Sequence, residues 1–588
     1  MTSSAARAAA PHPPLAPAGI ADPIAFQLFR HAITGVANEM ALTIFRTAYS
    51  GVLKNIMDYS TAICDRDGRL AAQGLSLPGH LCSIPVALKA SIAAMDEPIV
   101  EGDILVMNDP YSGGMHLPDI FTFKPVFVEG EIVAWAAAVC HHTDVGGRVA
   151  GSNASDSTEI YQEGIRIPPL KLYRAGKVDK TLMALLETNV RMPDRLNGDL
   201  RGQLAACRIA EQGIQALAIA RGPQVFTRLI DDLLDYSEIL TRAALRALPD
   251  GEATFTDYID DDGIDAGVPI PLVCTVRKTG DRMVVDWTGT APQVKGAINN
   301  TFSYTAAASY TAVKTVLGDG APNNDGVFRA VEVIAPSGTI ANAVMPAACA
   351  ARGLTGFRMA DCAFGALAKL APGRVFACGD GGNTNVSIGG WTKDRKPFIF
   401  VDFVSAAWGA RPWKDGLEGN TTMFANMASY STETVESENP LVVTVNEFVD
   451  DSAGPGKYRG GTAMRRDWML LEDNATLSVR ADRQSHRPYG LDGGYDGAAG
   501  INMMGGSKLT SKFTMPMKKG DTFSHCLPSG GGYGNPLDRD PAAVAEDWLD
   551  DYCSLATARD IYGVILTAEG TVDAAATETR RAELRISE

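Results

Sequence analysis

The chain of 588 residues has 69 acidic and 53 basic side chains, and its formal net charge of −16 would repel a phosphate backbone. Nucleic acid is therefore excluded as an expected partner. Hydrophobic residues make up 46% and charged residues 21%, so the composition is that of a globular protein long enough to form several lobes.

Residues 1–22 are rich in alanine and proline, with Arg7 as the only charged side chain before Asp22. They lack the basic and apolar regions of a signal peptide, so we expect a disordered arm. No later stretch offers the roughly 18 uncharged apolar residues that would cross a bilayer. The ten cysteines are scattered without a C-x-x-C pair, which is typical of reduced thiols. These features predict a soluble, cytoplasmic protein without membrane contact.

Hydrophobic periodicity predicts the elements of the first third of the chain. Apolar residues at helical spacing predict a long amphipathic helix from Pro23 to about Tyr49, and an Asp-Gly turn predicts a β-hairpin within Tyr59 to Ala72. A helix should follow Pro85, over residues 86–95. A buried strand, Asp103 to Met107, then leads through a loop rich in glycine and proline, residues 108–119, into paired strands at 121–128 and 131–141.

The remaining chain changes from helical to strand-like patterns. Residues 182–248 are predicted to be largely helical, including 199–215 and 223–247, with a break around Pro193 and Gly198. Strands are expected at 270–276, 282–288 and 398–403, and helices at 355–370, at 541–552 and near Thr557. The fold class that follows is α+β, mixed and multi-lobed.

The densest group of metal-binding side chains joins the 108–119 loop to the end of the following strand pair. His116 and Asp119 lie in the loop, and His141 ends the second strand. Two imidazoles and one carboxylate suit zinc, manganese or iron, and three protein ligands leave positions open for water and substrate. The alternative is a simple connector in which the histidines only bind backbone groups.

The neighbouring polar residues have less distinctive patterns. His142 and Asp144 could orient the metal ligands, although a solvated turn would explain both equally well. His80 is expected to be a core or rim histidine. With the metal site included, the predicted division is a disordered arm at 1–22, a metal-site lobe at 23–181, a helical spacer at 182–248, a β-rich lobe at 249–535 and a helical tail at 536–588.

Several motifs resemble those of the hydantoinase B family, which includes subunits of acetone and acetophenone carboxylases, a 5-oxoprolinase domain and a caprolactamase subunit. The likeness spans about residues 23–568, and the matching segments are 108–119, 141–147, 158–164, 166–169, 286–290, 292–296, 454–461, 530–536 and 558–564. The resemblance implies that His116, Asp119 and His141 bind one divalent metal ion.

The resemblance also implies a partner, a hydantoinase A type ATPase subunit that uses ATP to phosphorylate a cyclic amide or ketone. The expected assembly is a hetero-oligomer, and the expected function is metal-dependent attack on the activated substrate. Hydrolysis of a cyclic amide, as in a hydantoinase or lactamase, is the favoured reaction. Carboxylation of a ketone is the alternative within enzymes, and a non-catalytic scaffold is the alternative outside them.

One position departs from the pattern of many relatives. A glutamate that they place shortly before an Asp-aromatic-Ser sequence is replaced by Asn55, which cannot accept a proton usefully at neutral pH. Its catalytic role cannot be carried over to this chain. The remaining candidates for catalytic roles are Asp58, Asp144 and His142, while Glu39 is expected to pair with an arginine such as Arg46.

Overall fold

The structure is a computed structural model that describes residue 20 and residues 22–74, 77–80, 82–318, 320–381 and 384–587. It has a mixed α+β fold with four sheets among these residues, so the predicted fold class is confirmed. Residues 1–19 and 21, most of the predicted arm, lie outside the described residues.

The first sheet contains seven antiparallel strands in the order β2-β1-β5-β4-β3-β6-β7. Its strands are β1 (Tyr59–Asp65), β2 (Leu70–Gln73), β3 (Ile104–Met107), β4 (Asp119–Val128), β5 (Glu131–His141), β6 (Leu170–Arg174) and β7 (Lys177–Val178). The predicted hairpin and the predicted strand pair are therefore both present, and they lie side by side because β1 pairs with β5.

Six helices accompany this sheet: α1 (Pro23–Thr47), α2 (Gly51–Lys54), α3 (Ser83–Ala93), α4 (Lys180–Asn189), α5 (Pro193–Arg221) and α6 (Pro223–Arg246). The Asp22 side chain caps α1 by accepting hydrogen bonds from two backbone amides of its first turn. Helix α5 packs on α1, β4 and β5, and their apolar side chains form one core layer.

The predicted break in the helical segment is only partly correct. The chain leaves the helical conformation before Pro193, but Gly198 lies inside α5. A side chain at this glycine would meet Tyr49, whose Cβ would lie 2.4 Å from the added carbon. The glycine therefore permits close packing against the end of the α1 segment rather than ending the helix.

The second sheet has the order β11-β10-β9-β8 and is covered by the longest helix of this region. The elements are β8 (Gly251–Ile259), β9 (Ile270–Thr279), β10 (Arg282–Asp286), α7 (Phe302–Leu317), α8 (Asp325–Phe328), β11 (Val331–Ile334) and α9 (Arg352–Leu370). Helix α9 packs on β8, β9 and α7, and almost every one of its residues is buried.

Two further sheets and four helices complete the described chain. One sheet has the order β13-β12-β16-β19 and the other β14-β15-β20-β17-β18. The elements are β12 (Thr384–Trp391), β13 (Pro397–Val404), α10 (Thr432–Glu438), β14 (Leu441–Val449), β15 (Ala463–Leu470), β16 (Ala475–Arg480), β17 (Ile501–Met504), β18 (Ser507–Leu509), β19 (Lys512–Met517), β20 (Thr522–Cys526), α11 (Pro541–Leu549), α12 (Leu555–Asp560) and α13 (Ala574–Ser587).

One hydrophobic core links the four sheets. It contains buried side chains from β1, β9, β13 and β20 among others. The predicted division into lobes stays a prediction. Within the parts of the chain that the structure describes, no helix is both long and apolar enough to span a bilayer.

Candidate metal centre

The loop before β4 holds His116 in a fixed position. Asn108 donates to the Leu117 carbonyl at 2.7 Å and to the Ile165 carbonyl at 3.0 Å, and it accepts from the Ile167 amide at 2.6 Å. Gly114 lies so close to backbone that an added Cβ would be 2.8 Å from the Asp109 carbonyl oxygen. These contacts leave the loop little freedom, so the histidine presents its ring from a rigid support.

The register between β4 and β5 brings Asp119 and His141 together. The two residues are directly paired, at the beginning of β4 and the end of β5. A register shift between Val126 and Phe127 makes this possible, because Ile132 pairs with Phe127 whereas Ala134 pairs with Val126. Without that extra residue, Asp119 would pair with the residue before His141, whose side chain lies on the other face of the sheet.

The three predicted metal ligands meet in space. One ligand atom from each of His116, Asp119 and His141 lies within 4.8 Å of the others. The His116 Nε2 and Asp119 Oδ2 atoms are 3.3 Å apart, and the two imidazole centroids are 5.0 Å apart. All three side chains are buried. A buried cluster of this composition and spacing can bind a divalent cation.

Hydrogen bonding prepares the His116 ring for a metal ion. Its Nδ1 atom lies 2.8 Å from the Ala350 carbonyl oxygen, which can only accept, so Nδ1 donates and the lone pair is on Nε2. That Nε2 atom is buried without a hydrogen-bond partner, as are Asp119 Oδ1 and His141 Nδ1. Unpaired buried polar atoms are costly, and a shared cation would satisfy all three.

The electrostatics favour the protonation states that bind metal. Burial lowers the pKa of His116 to about 4, and burial together with His116 lowers that of His141 well below the usual range. Both imidazoles are therefore neutral near pH 7. Burial alone would raise the pKa of Asp119, but His116 and Arg352 hold it well below its ordinary value. Two neutral imidazoles and one ionised carboxylate fit a zinc, manganese or iron ion.

Asp58 adds a second carboxylate to this centre. Its backbone carbonyl accepts from the His141 amide at 3.0 Å, and its buried Oδ1 atom has no hydrogen-bond partner. Burial and the nearby Asp119 raise the pKa of Asp58 to about 7. A carboxyl group with this pKa can accept a proton near neutral pH or bind a cation that removes the repulsion. Asn55 lies three residues before Asp58 and is the C-cap residue of α2.

The other candidate catalytic residues are engaged elsewhere. The His142 ring lies 2.9 Å from the Gln203 side-chain oxygen of α5. Asp144 accepts hydrogen bonds from the backbone and guanidinium of Arg191, each at 2.8 Å, and from two loop amides. Glu39 is exposed on α1. The structure thus brings Asp58 to the three candidate metal ligands and directs the carboxylate of Asp144 to a loop.

Several residues near the centre were not predicted to belong to it; His80, for example, was expected only to be a core or rim histidine and is indeed buried. His80 lies with its Nε2 atom 3.6 Å from Asp58 Oδ1, and its Nδ1 atom 3.0 Å from the Ser60 hydroxyl. The Arg352 guanidinium donates to Asp119 Oδ2 at 2.6 Å and lies 4.0 Å from the centroid of the Tyr304 ring. Arg352 and Tyr304 belong to α9 and α7, far along the chain from the candidate ligands. Neither lies in a sequence motif that indicates a place in this centre.

A phenylalanine side chain packs against one side of the centre. The Phe403 ring packs edge-on against His141, with their centroids 5.3 Å apart. Phe403 and Phe357 also line a narrow crevice together with Asp380 and Thr422, and this crevice has no room for a water molecule. Phe403 therefore closes this side of the candidate centre.

Comparison with known proteins identifies the family. Residues 22–536 match the family model described as Hydantoinase B/oxoprolinase, and the chain belongs to this family. One subunit of the putative D-/L-hydantoinase of Pseudomonas sp. (strain NS671) is 32% identical over 544 residues, a match that covers 89% of this chain and 91% of that protein. The beta subunit of the caprolactamase of Pseudomonas jessenii is 31% identical over 591 residues, and the match covers 95% of this chain and 99% of that protein.

Solved structures agree with this assignment. The crystal structure of the ATP-dependent caprolactamase from Pseudomonas jessenii matches 96% of this chain and 100% of its own, with a TM-score of 0.89 and 29% identity. A nucleotide-free acetone carboxylase structure matches 96% of this chain and 83% of its own with a TM-score of 0.88, but at 19% identity it shows the fold alone. The prediction of an enzyme from this family of ATP-dependent cyclic-amide hydrolases and related carboxylases is confirmed.

Proposed function

We propose that this chain is the metal-binding subunit of an ATP-dependent hydrolase that opens a cyclic amide. The observation on which this depends is the buried group of His116, Asp119 and His141, in which each residue has one polar atom without a hydrogen-bond partner. A shared cation satisfies these atoms together, whereas a purely structural cluster would leave them unpaired.

The chain's own residues would divide the chemistry in the following way. A divalent ion held by the two histidines and Asp119 would supply a Lewis acid that lowers the pKa of water and polarises a carbonyl oxygen. Arg352 fixes the Asp119 carboxylate by a hydrogen bond to Oδ2, and the unpaired Oδ1 would be available to an ion. Asp58 takes the proton from the attacking water or adds a further carboxylate to the ion. Burial excludes bulk water and strengthens each of these interactions.

The names of the relatives support a partner subunit and the use of ATP. The two relatives above are each named as one subunit of a larger enzyme, and the caprolactamase is named ATP-dependent. We infer that this chain works in a hetero-oligomer with a hydantoinase A type ATPase that activates the substrate with ATP. A small cyclic amide is preferred to a ketone, because the relatives named for lactam or hydantoin chemistry are 31% and 32% identical, while the acetone carboxylase match rests on the fold.

Metal analysis of purified chains tests the proposal. The wild-type chain should contain about one zinc, manganese or iron ion, and His116→Ala or His141→Ala should lose it. His525→Ala is the matched control, because His525 is equally buried and likewise has its Nδ1 atom paired, 2.6 Å from the Asn502 side-chain oxygen, but it does not belong to the group of His116, Asp119 and His141. The control should retain the metal. A wild-type chain that takes up no transition metal, with full activity of the complex after His116→Ala, would support the scaffold alternative.

The reaction type is tested with the complex. ATP consumption that depends on a lactam or hydantoin, with ring opening, supports hydrolysis. ATP consumption that depends on a ketone, with labelled bicarbonate appearing in the product, contradicts it and supports carboxylation.

A further inference from the structure

Two buried arginines lie beside the candidate metal centre. Arg352 begins α9 and Arg480 ends β16, and their relative exposures are 4% and 1%. The Arg480 guanidinium donates to the Ala350 carbonyl at 3.0 Å and to the Asn153 side-chain oxygen at 3.3 Å. The Ala350 carbonyl is the same group that binds His116, so Arg480 is one residue removed from a metal ligand.

The positive charge of this region exceeds what its carboxylates balance once a cation is bound. The carboxylates that act on both guanidinium groups are the same two, Asp58 and Asp119. These are also the carboxylates next to the metal ligands. A divalent cation would therefore leave a net charge of about +2 in a buried region, which is costly unless an anion is present.

Local structure indicates where the balancing negative charge would lie. Among the described residues, the buried Nε atom of Arg352 has no hydrogen-bond partner. The N-cap of α9, Ala351, has no side chain that could satisfy the amides of the first turn, and the positive end of the helix dipole is at this point. Burial and the neighbouring Arg352 lower the pKa of Arg480 to about 9, which shows that the two guanidinium groups are close enough to repel each other.

Arg480 is also close to His141, one of the candidate metal ligands. Its guanidinium carbon lies 5.4 Å from the centroid of the Phe403 ring, and Phe403 packs edge-on against His141. An anionic group bound by the two arginines would therefore be held close to the metal centre.

We propose that Arg352 and Arg480 form an oxyanion site that binds the anionic group of the substrate next to the metal ion. The ligand chemistry is a phosphoryl or carboxylate group, since guanidinium groups form paired, charge-assisted hydrogen bonds with both. This inference rests on the proposed function and adds to it that the substrate reaches this chain as an anion. A phosphoryl group would come from an activated amide, and a carboxylate or bicarbonate from the substrate itself or from a carboxylation reaction.

Calorimetric titration of the full-length, metal-loaded chain tests the proposal. Inorganic phosphate and bicarbonate are titrated separately, with chloride as the reference anion. At least one oxyanion should bind more tightly than chloride, and Arg480→Met should weaken its binding about tenfold or more while keeping the metal content. Tighter phosphate binding identifies a phosphoryl group, and tighter bicarbonate binding identifies a carboxylate.

Arg466→Met is the matched control. Arg466 is also 1% exposed, and its guanidinium binds Asp402 at 3.0 Å, on the strand face opposite Phe403. This variant should bind the oxyanion as the wild type does. If Arg480→Met does not fold, Arg480→Lys should fold and bind the oxyanion more weakly than the wild type, because a point charge lacks the paired donors.

Two results separate this inference from the proposed function. The inference is overturned if the metal-loaded chain binds neither oxyanion better than chloride. It is also overturned if Arg480→Met binds the oxyanion as tightly as the wild type does. Both results leave the proposed function standing. A chain that takes up no metal overturns both.

Discussion

Two buried clusters of charged side chains differ in how completely their atoms are paired. Near the C-terminus, Arg539 donates to both oxygens of Asp415, at 2.7 and 2.9 Å, and to Asp547 at 2.7 Å. Arg459 donates to the other oxygen of Asp547, also at 2.7 Å. In the metal centre, by contrast, three residues each have an unpaired atom. Complete pairing indicates a structural role, and unpaired atoms on three clustered metal-binding side chains indicate a ligand.

The largest expected effect is on catalysis at Asp58. Asp58→Asn should lower turnover of the complex about 100-fold or more, because the amide can neither accept a proton nor bind a cation well. Activity should be measured as ring opening that depends on ATP and lactam. Metal analysis of the same variant separates the two roles of Asp58, since a base leaves the metal content unchanged and a metal ligand does not.

Asp144→Asn is the control for Asp58. The Asp144 carboxylate organises a loop through Arg191, so the variant should be less stable by about 1–3 kcal/mol yet keep most of its turnover when folded. Equal loss of turnover in both variants, at equal stability, would contradict the distinction between them.

The second effect is on stability in the C-terminal cluster. Arg539→Met should lower the free energy of unfolding by about 3 kcal/mol, because it leaves Asp415 without its paired donors and leaves the buried Asp547 with Arg459 alone. His141→Gln, measured without metal, should cost about 1 kcal/mol or less, since His141 Nδ1 has no partner to lose and Nε2 makes only a 3.4 Å contact with the Asn153 amide. Urea unfolding in the presence of a chelator measures both. Similar losses in the two variants would remove the contrast between the clusters.

The last effect is a change in pH dependence at Glu163, which holds the backbone next to the metal centre. Its Oε1 atom accepts from the amides of Cys349 and Ala350, at 2.7 and 2.8 Å, and so holds the Ala350 carbonyl that binds His116. Burial raises the pKa of Glu163 from 4.5 to about 8. The folded chain therefore retains a proton that the unfolded chain releases, and stability is lost as the pH rises between these values.

Glu163→Gln should remove this pH dependence. Glutamine keeps an oxygen for the two amides but does not titrate, so the variant should gain roughly 1 kcal/mol on the wild type for each pH unit between about 5 and 8. Unfolding in urea at several pH values measures the difference. A constant difference across this range would show that the carboxyl group is not held in its protonated form.

Local sequence patterns predict the helices and strands around the centre but not all of the side chains that form it. The helix from Pro23, the hairpin around Gly68 and the strands that hold Asp119 and His141 follow from periodicity and turn residues. The register shift near Val126, which places Asp119 opposite His141, has no sequence signature. The clustering of metal-binding residue types in the sequence suggested the three ligands, and the family resemblance favoured that interpretation over a simple connector.

The arginines could not be predicted for a different reason. Arg352 and Arg480 approach the centre from α9 and β16, more than 200 residues along the chain from the metal ligands they accompany, and neither lies in a motif with a known chemical role. Their positions depend on how the sheets pack together. The buried charges that decide which ligand fits are thus a property of the tertiary fold.

The most direct test of the metal centre is anomalous X-ray diffraction from crystals of the chain, collected at the absorption edge of the metal found by elemental analysis. One peak should lie about 2.0–2.3 Å from side-chain atoms of His116, Asp119 and His141. A peak bound by other residues, or crystals of metal-loaded protein in which these three side chains contact no ion, would contradict the account.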